Sequence, residues 1–270
     1  MSVPRPTALV TGANGRLGVV VKHGLVDRGW AVRELVRSHP GADADVVTGS
    51  ITDLDAMTRA CERVSAIVHL AGVSEVGESW ESCLDNNIHG TRTVLEAARA
   101  ASVPRVILAS SNHAAGYAAR PEDGSFIPAS AGPRPDSFYG VSKVAMEALG
   151  SFYADEYGLE TVSIRIGSCF PRPTNTRSLS TWLSHEDLLR LVEAALVHPW
   201  QEHRVVWGIS RNTRRWWSLD EGERIGYFPK DDAEIYAANV EESGNDFVGG
   251  SAPPFYSGAV EHGQTKMDFP

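Results

Sequence analysis

Cysteine is scarce in this chain: three among 270 residues, Cys61, Cys83 and Cys169, widely spaced. Three such thiols build no disulfide framework and no CxxC metal pattern, so a reducing, cytoplasmic setting is expected. No window of about 18 apolar residues occurs, which excludes an apolar helix long enough to span a bilayer. Cationic charge is also short. Lys and Arg number 25 against 34 Asp and Glu, a net charge of −9. Nothing therefore concentrates positive charge against phosphates, and nucleic-acid binding is not expected. The nine histidines form no HxxxH pair and no His/Asp cluster, so no metal site is expected. Met1 to Pro6 holds two prolines and no signal-like apolar stretch.

What is present is an ordinary globular composition, 42 % hydrophobic, with length for one large domain. Short apolar runs at Thr7–Thr11, Ala31–Val36, Ala66–Leu70 and Arg105–Ala109 read as strands. Helix-spaced segments fall between them, at Arg16–Gly29, Asp53–Val64 and Asn86–Ala101. That alternation predicts βαβ units and an α/β, Rossmann-type doubly wound parallel sheet. A further helix is expected over Gly140–Tyr157, and strands over Thr161–Ile166 and Arg204–Gly208. Ser184 with Asp187 three residues on reads as a capped helix start. One domain is expected over residues 1–240, with a small C-terminal substrate lobe drawn mainly from 168–240. The Gly/Pro/Ser-rich stretch 241–270 reads as an irregular tail.

Gly12, Gly15 and Gly18 lie in TGANGRLG, directly after the first strand and opening the first helix. Glycines there permit a tight turn and close approach of backbone to a pyrophosphate, and the helix start offers free N–H groups. A dinucleotide site usually carries an acid at the end of the second strand. Val36 stands there instead, followed by Arg37 and Ser38. A guanidinium without a competing carboxylate suits a 2′-phosphate. The expected cofactor is NAD(P), with a lean toward NADP, and Arg16 is a candidate second charge.

Tyr139 and Lys143, in YGVSK, fall at i and i+4 and share one helix face. An ammonium near a phenol favours the phenolate, so the pair can take a proton from an alcohol. Ser110, Ser111 and Asn112 close the fourth strand, where an open α/β sheet presents side chains to its crevice.

TGANGRLG, HLAGVS (69–74), NNIHGT (86–91), ASSNH (109–113) and YGVSK together resemble the extended short-chain dehydrogenase/reductase superfamily. SSNHAAGY, RIGSC, RSLSTWLSHED and VVWGISRNTRRWW extend the resemblance to uronate dehydrogenases over almost the whole chain. That resemblance implies oxidation of C1 of galacturonate or glucuronate to an aldarolactone. Tyr139 would be the base and Lys143 its partner, with Lys143 also holding the nicotinamide ribose. Ser111 or Asn112 would meet the reacting hydroxyl. Ser74, Ser111, Asn112, His113 and Ser168 would contact the sugar, and Arg177 would clamp its carboxylate, a task that suits a planar guanidinium. Cofactor contacts are implied for Gly12, Asn14, Gly15, Arg16, Leu17, Gly18, Arg37, Ser38, Ser50 and Ile51. Leu70, Ala71, Gly72, Asn87, Lys143 and Ile166 complete that set. The chain departs from the pattern at Val36 and Ser50, where acids are usual, and at Asn112, where a hydroxyl is common.

Three other readings compete: a sugar-phosphate (glucose 6-phosphate) dehydrogenase, a nucleotide-sugar epimerase or dehydratase, and a non-catalytic dinucleotide sensor. The short chain argues against the second, and the Tyr139/Lys143 pair against the third. Trp182, Trp207, Trp216 and Trp217 read as core or subunit-contact aromatics, with Trp182 a candidate wall of the sugar site. His185 reads as a helix-start residue. Arg211, Arg214 and Arg215 read as a salt-bridged loop. Helices Asn86–Ala101 and Gly140–Tyr157 are the pair that commonly builds dimers in the resembled superfamily, so a homo-oligomer is expected.

Overall fold

Runs of Val, Ile, Leu and Ala too short for a helix alternate with longer amphipathic segments, and the first become strands buried on both faces. A computed structural model of the chain describes residues 5–39, 41 and 43–242. In order the elements are β1 (Thr7–Thr11), α1 (Arg16–Asp27), β2 (Ala31–Val36), β3 (Val46–Thr48), α2 (Leu54–Ala60) and β4 (Ala66–His69). Then come α3 (Trp80–Cys83), α4 (Gly90–Ala100), β5 (Arg105–Ser111), α5 (Phe138–Tyr157), β6 (Glu160–Ile166) and β7 (Ser168–Cys169). The rest are α6 (Ser178–Thr181), β8 (Trp182–Leu183), α7 (His185–Val197), β9 (His203–Gly208), α8 (Asp220–Arg224) and α9 (Ala237–Glu242).

Seven strands form one parallel sheet in the order β3-β2-β1-β4-β5-β6-β9. Chain order reverses direction between β1 and β4, so a crevice opens at their carboxyl ends. Helices α1 and α7 cover one face, where Val21 and Leu25 pack with Leu188 and Val192. On the other face α2, α4 and α5 bring Met57, Leu95 and Met146 onto Leu9, Ile67 and Leu108. Each such fully buried side chain contributes about 1.5–3 kcal/mol of hydrophobic stabilisation. No helix of the described residues is long and apolar enough to cross a membrane.

Side-chain caps set several boundaries. Ser137 Oγ accepts from Gly140 N at the start of α5, and Ser184 Oγ from Asp187 N at the start of α7. The helix expected over Asp53–Val64 is shorter. Asp53 caps it through Asp55 N and Ala56 N, and it stops at Ala60, because Arg63 takes a left-handed turn (φ 55°). The helix expected from Asn86 begins earlier, at Trp80, capped by Ser79. It passes through a π-turn over Leu84–His89 before continuing as α4. Helix α1 ends at Asp27, two residues short of Gly29.

Beyond Ile166, β7 and β8 make a two-stranded parallel pair outside the main sheet. The loop 116–137 joins this side through Ile127, whose N–H donates to Trp216 O and whose carbonyl accepts from Ser218 N. Trp207 and Trp217 are fully buried there with Ile127, and Trp216 stacks on Trp217. Helix α7 and strand β9 belong to the main layers. Arg211 pairs with Glu223, and Arg214 with Glu234 and Glu241, so two of the three arginines at 211–215 are held in ion pairs. Of the stretch read as an irregular tail, residues 243–270 lie outside the described residues.

Candidate active site

The crevice is shaped first by backbone. Gly12 sits at φ +70°, and a Cβ there would lie 2.8 Å from Ala71 N. A Cβ on Gly18 would lie 2.1 Å from Gly12 O. The loop can therefore close onto the start of α1 only with glycine at both positions. Gly15 caps α1 without a side-chain hydrogen bond, which leaves the first N–H groups of the helix facing the crevice.

Two clefts run together here, sharing Gly12, Gly15, Leu70, Gly72 and Val73. One, of about 450 Å³, is lined by Asn14, Val36, Arg37, Ser38, Ser50, Ile51 and Ala71. The other, of about 300 Å³, is lined by Arg16, Leu17, Gly18, Ser74, Ile166 and Ser168 together with Ser111, Asn112, His113, Tyr139 and Lys143. The first suits an adenosine and the second a reacting end. The glycine cradle between them leaves room that any side chain would fill, and the residues present fit a dinucleotide. Asn87 stands behind the wall. Its Oδ1 accepts from Val73 N and its Nδ2 donates to Ser142 Oγ, which donates in turn to the Tyr139 carbonyl.

Arg16 and Arg37 are not brought together. Arg37 lines the adenosine cleft. Arg16 reaches the other way, donating to the Cys169 carbonyl and lying 4.3 Å from the centre of the Phe170 ring. Arg16 is therefore no second charge beside Arg37. Glu34, two residues before Val36, is turned toward Lys22 and pairs with it at 3.0 Å.

The reacting end is formed by β5 and α5. Tyr139 and Lys143 are almost completely buried, 7 % and 5 % exposed. Burial pushes the Tyr139 phenol up to about 12, against lowering by a hydrogen bond with Ser111 and by the charge of Arg16. Lys143 Nζ donates to the Ala109 carbonyl at 2.8 Å and lies 5.4 Å from the Tyr139 ring centre. Burial lowers Lys143 to about 8. In the resting site burial therefore sets the direction of the phenol shift, against the lowering by Ser111 and Arg16. Ser111 Oγ donates to Asn112 Oδ1 at 3.3 Å, while Asn112 Nδ2 is buried with no partner among the described residues.

Arg177 precedes α6 and donates from Nη1 to Ser168 Oγ at 3.2 Å, one hydrogen bond behind the cleft surface that Ser168 forms. Burial lowers its guanidinium to about 10, and Asp136 acts in the opposite sense. Trp182 does not line the cleft. It is buried in a small cluster, donating from Nε1 to Phe170 O at 2.8 Å and meeting Tyr236 edge-on. Phe170 takes the wall position instead. His185 is the first residue of α7.

Two residues not expected from the sequence support the site. Asp136 holds the His113 imidazole, with Nδ1 2.9 and 3.1 Å from its two oxygens. Glu147, one turn beyond Lys143, accepts from Ser110 Oγ at 2.6 Å and from Arg165 Nε and Nη2 at 2.9 and 2.8 Å. Their signals were faint: an Asp preceding a helix-capping Ser, and a Glu four residues after the Lys.

Comparison with known proteins places these features in context. Residues 8–217 match the NAD dependent epimerase/dehydratase family. The chain is 44 % identical over 246 residues to a uronate dehydrogenase of Pseudomonas putida, covering 89 % of this chain and 90 % of that protein. It is 34 % identical to an NAD-dependent glucose-6-phosphate dehydrogenase of Haloferax volcanii, covering 86 % and 96 %. Among solved structures, a mutant uronate dehydrogenase from Agrobacterium tumefaciens complexed with NAD superposes with a TM-score of 0.83. It is 35 % identical and covers 94 % of this chain and 96 % of that one.

Proposed function

We propose that this chain, which belongs to the NAD dependent epimerase/dehydratase family, oxidises C1 of a hexuronic acid to an aldarolactone with a nicotinamide cofactor. The observation that carries the reading is Arg177. Its guanidinium is withdrawn from water and tied to Ser168, a residue that lines the cleft holding Tyr139. A buried guanidinium one hydrogen bond from the cleft suits a planar carboxylate better than the hydroxyl of a neutral hexose. The similarity to uronate dehydrogenases supports the same substrate class.

Arg177 pairs with the C6 carboxylate and so fixes which end of the sugar faces Tyr139. Ser111 and Asn112 hold the C1 hydroxyl, Asn112 through the Nδ2 donor that is otherwise unused. Bound in the glycine cradle, the nicotinamide would supply a hydride acceptor and a fixed positive charge. Tyr139 Oη takes the hydroxyl proton as C1 loses its hydride, and the hemiacetal carbon becomes the lactone carbonyl. Ser111 stabilises the phenolate through its hydrogen bond, and Arg16 and Lys143 through charge. Ser74, His113 and Ser168 meet the remaining hydroxyls.

Val36, Arg37 and Ser38 support use of NADP beside NAD, because no acid stands where a 2′-phosphate would lie and Arg37 borders that cleft. Trp80, Leu84, Phe138, Val141, Phe152 and Tyr157 are exposed along α3 to α5 and support a homo-oligomer through that face. Three buried free thiols fit a reducing cytoplasm.

The test is initial-rate measurement with glucuronate, galacturonate, glucose 6-phosphate and glucose, each with NAD and NADP. Uronates alone should be turned over. Arg177→Ala should cost on the order of 10²–10³-fold in kcat/KM, the loss expected when one member of a buried charge pair is truncated. Turnover of the phosphate alone would move Arg177 to phosphate binding, the second reading that the Haloferax relative supports. Inactivity on all four would overturn both readings.

A further inference from the structure

His113 lines the reacting cleft and meets the Tyr139 ring edge-on, with ring centres 5.8 Å apart. Behind it lies Asp136, whose side chain is 2 % exposed. A carboxylate this deep must be stabilised by donors. Ser137 Oγ accepts from Gly140 N, which leaves its proton to donate to Asp136 Oδ1 at 3.1 Å. His113 Nδ1 supplies another donor. The space for Asp136 is made by Gly116, where a Cβ would lie 2.1 Å from Asp136 Oδ2.

We propose that Asp136 is a positioning residue that fixes His113 as the Nδ1–H tautomer and so makes Nε2 a hydrogen-bond acceptor for a hydroxyl of the substrate. An ionised carboxylate can only accept, so Nδ1 must carry the proton. In the neutral imidazole that leaves a lone pair on Nε2, the nitrogen not engaged by any of the described residues. The wall then offers one acceptor at Nε2 beside the Nδ2 donor of Asn112. A sugar hydroxyl is the ligand that meets an acceptor by donating. A keto group at the same ring position cannot. Asp136 therefore sets which oxidation state the site accepts at a carbon other than C1. The identity of the hydroxyl rests on the hexuronate reading, while the tautomer does not.

The experiment has two arms. The first is ¹⁵N NMR of histidine-labelled protein at high pH, with the His113 signals assigned by their loss in His113→Ala. The wild type should carry its ring proton on Nδ1, and Asp136→Asn should lose that preference. A proton on Nε2 in the wild type would overturn the proposal. The second arm is a double-mutant cycle in kcat/KM on the sugar. His113→Ala and Asp136→Asn should each lower kcat/KM about tenfold or more, and the double variant should lose no more than His113→Ala alone. Losses that multiply would mean Asp136 acts only on the fold, and would also overturn it. Inactivity of the wild type on uronates would refute the substrate reading alone, because the resting-state spectrum still decides the role of Asp136.

Discussion

Glu147→Ala should be among the most damaging single substitutions outside the reacting atoms. Glu147 and Arg165 face each other with side chains 9 % and 3 % exposed and two hydrogen bonds of 2.9 and 2.8 Å. Arg165 Nη1 also donates to the carbonyls of Ala129 and Ala131, and the guanidinium lies 5.2 Å from the Trp207 ring centre. Removing the carboxylate leaves a buried cation whose remaining acceptors among the described residues are two neutral carbonyls, and takes the acceptor from Ser110 Oγ. Breaking one side of such a pair costs about 3–5 kcal/mol. At about 2–4 °C per kcal/mol for a chain approaching this size, the melting temperature should fall by roughly 6–20 °C. Circular dichroism melts of wild type and variant at matched concentration and scan rate read this directly. The double variant Glu147→Met, Arg165→Met should recover most of the loss, because no charge then remains unpaired. A drop of under about 3 °C for Glu147→Ala would refute the reasoning, as would a double variant worse than the single one. The charge of Glu147 also raises Lys143 against the lowering by burial, so the variant should lower the Lys143 pKa below its present value.

Tyr139→Phe should reduce turnover about 10²–10⁴-fold while leaving the dissociation constant for NAD, measured by calorimetry, within about threefold; equal loss of both would make Tyr139 a binding residue. The pH profile follows from two shifts. With Tyr139 pushed up to about 12 and protonated at neutral pH, kcat/KM should climb about tenfold per pH unit. Lys143, lowered to about 8, is charged below that pH and neutral above it, so the climb should flatten there. A profile flat from about pH 6 to about pH 9 would sink this account. Arg37→Ala should raise KM for NADP about 10- to 100-fold and leave KM for NAD nearly unchanged. Equal effects on the two cofactors would remove Arg37 from the 2′ position.

The sheet and the cofactor loop were legible because their signals are local. Strand Thr7–Thr11 carries an apolar run closed by Gly12, strand Ala31–Val36 follows a turn at Gly29, and the limits of both match the sequence reading. TGANGRLG declares its own geometry, because the close contacts of Gly12 and Gly18 admit no other residue. What escaped was set by distant neighbours. Nothing in the spacing of Tyr139 and Lys143 tells how deeply both are buried, and burial decides the direction of the phenol shift. Arg16 looked like a partner of Arg37 until the Cys169 carbonyl, 153 residues away, was seen to hold it. The π-turn at Leu84–His89 has no compositional mark, since its extra residue is accommodated by what α5 packs against it. Two-residue strands such as β7 and β8 are too short for any periodicity.

The strand order also bears on how the chain is assembled as it is made. After β1, the strands β4, β5, β6 and β9 are laid down one beside the next, each on the edge left by its predecessor. Once β4 has paired with β1, the edge that grows is that of the newest strand of the sheet, and its partner is the next sheet strand to emerge. No strand has to be inserted between two already paired. A ribosome stalled after Ser111, however, holds a five-stranded sheet whose β5 edge has no neighbour. Its face lacks α5, which supplies Met146 and Tyr153 to the core. Fragments ending there should be the aggregating ones, and only once Gly208 closes β9 does β6 gain its second neighbour and the seven-stranded sheet stand complete.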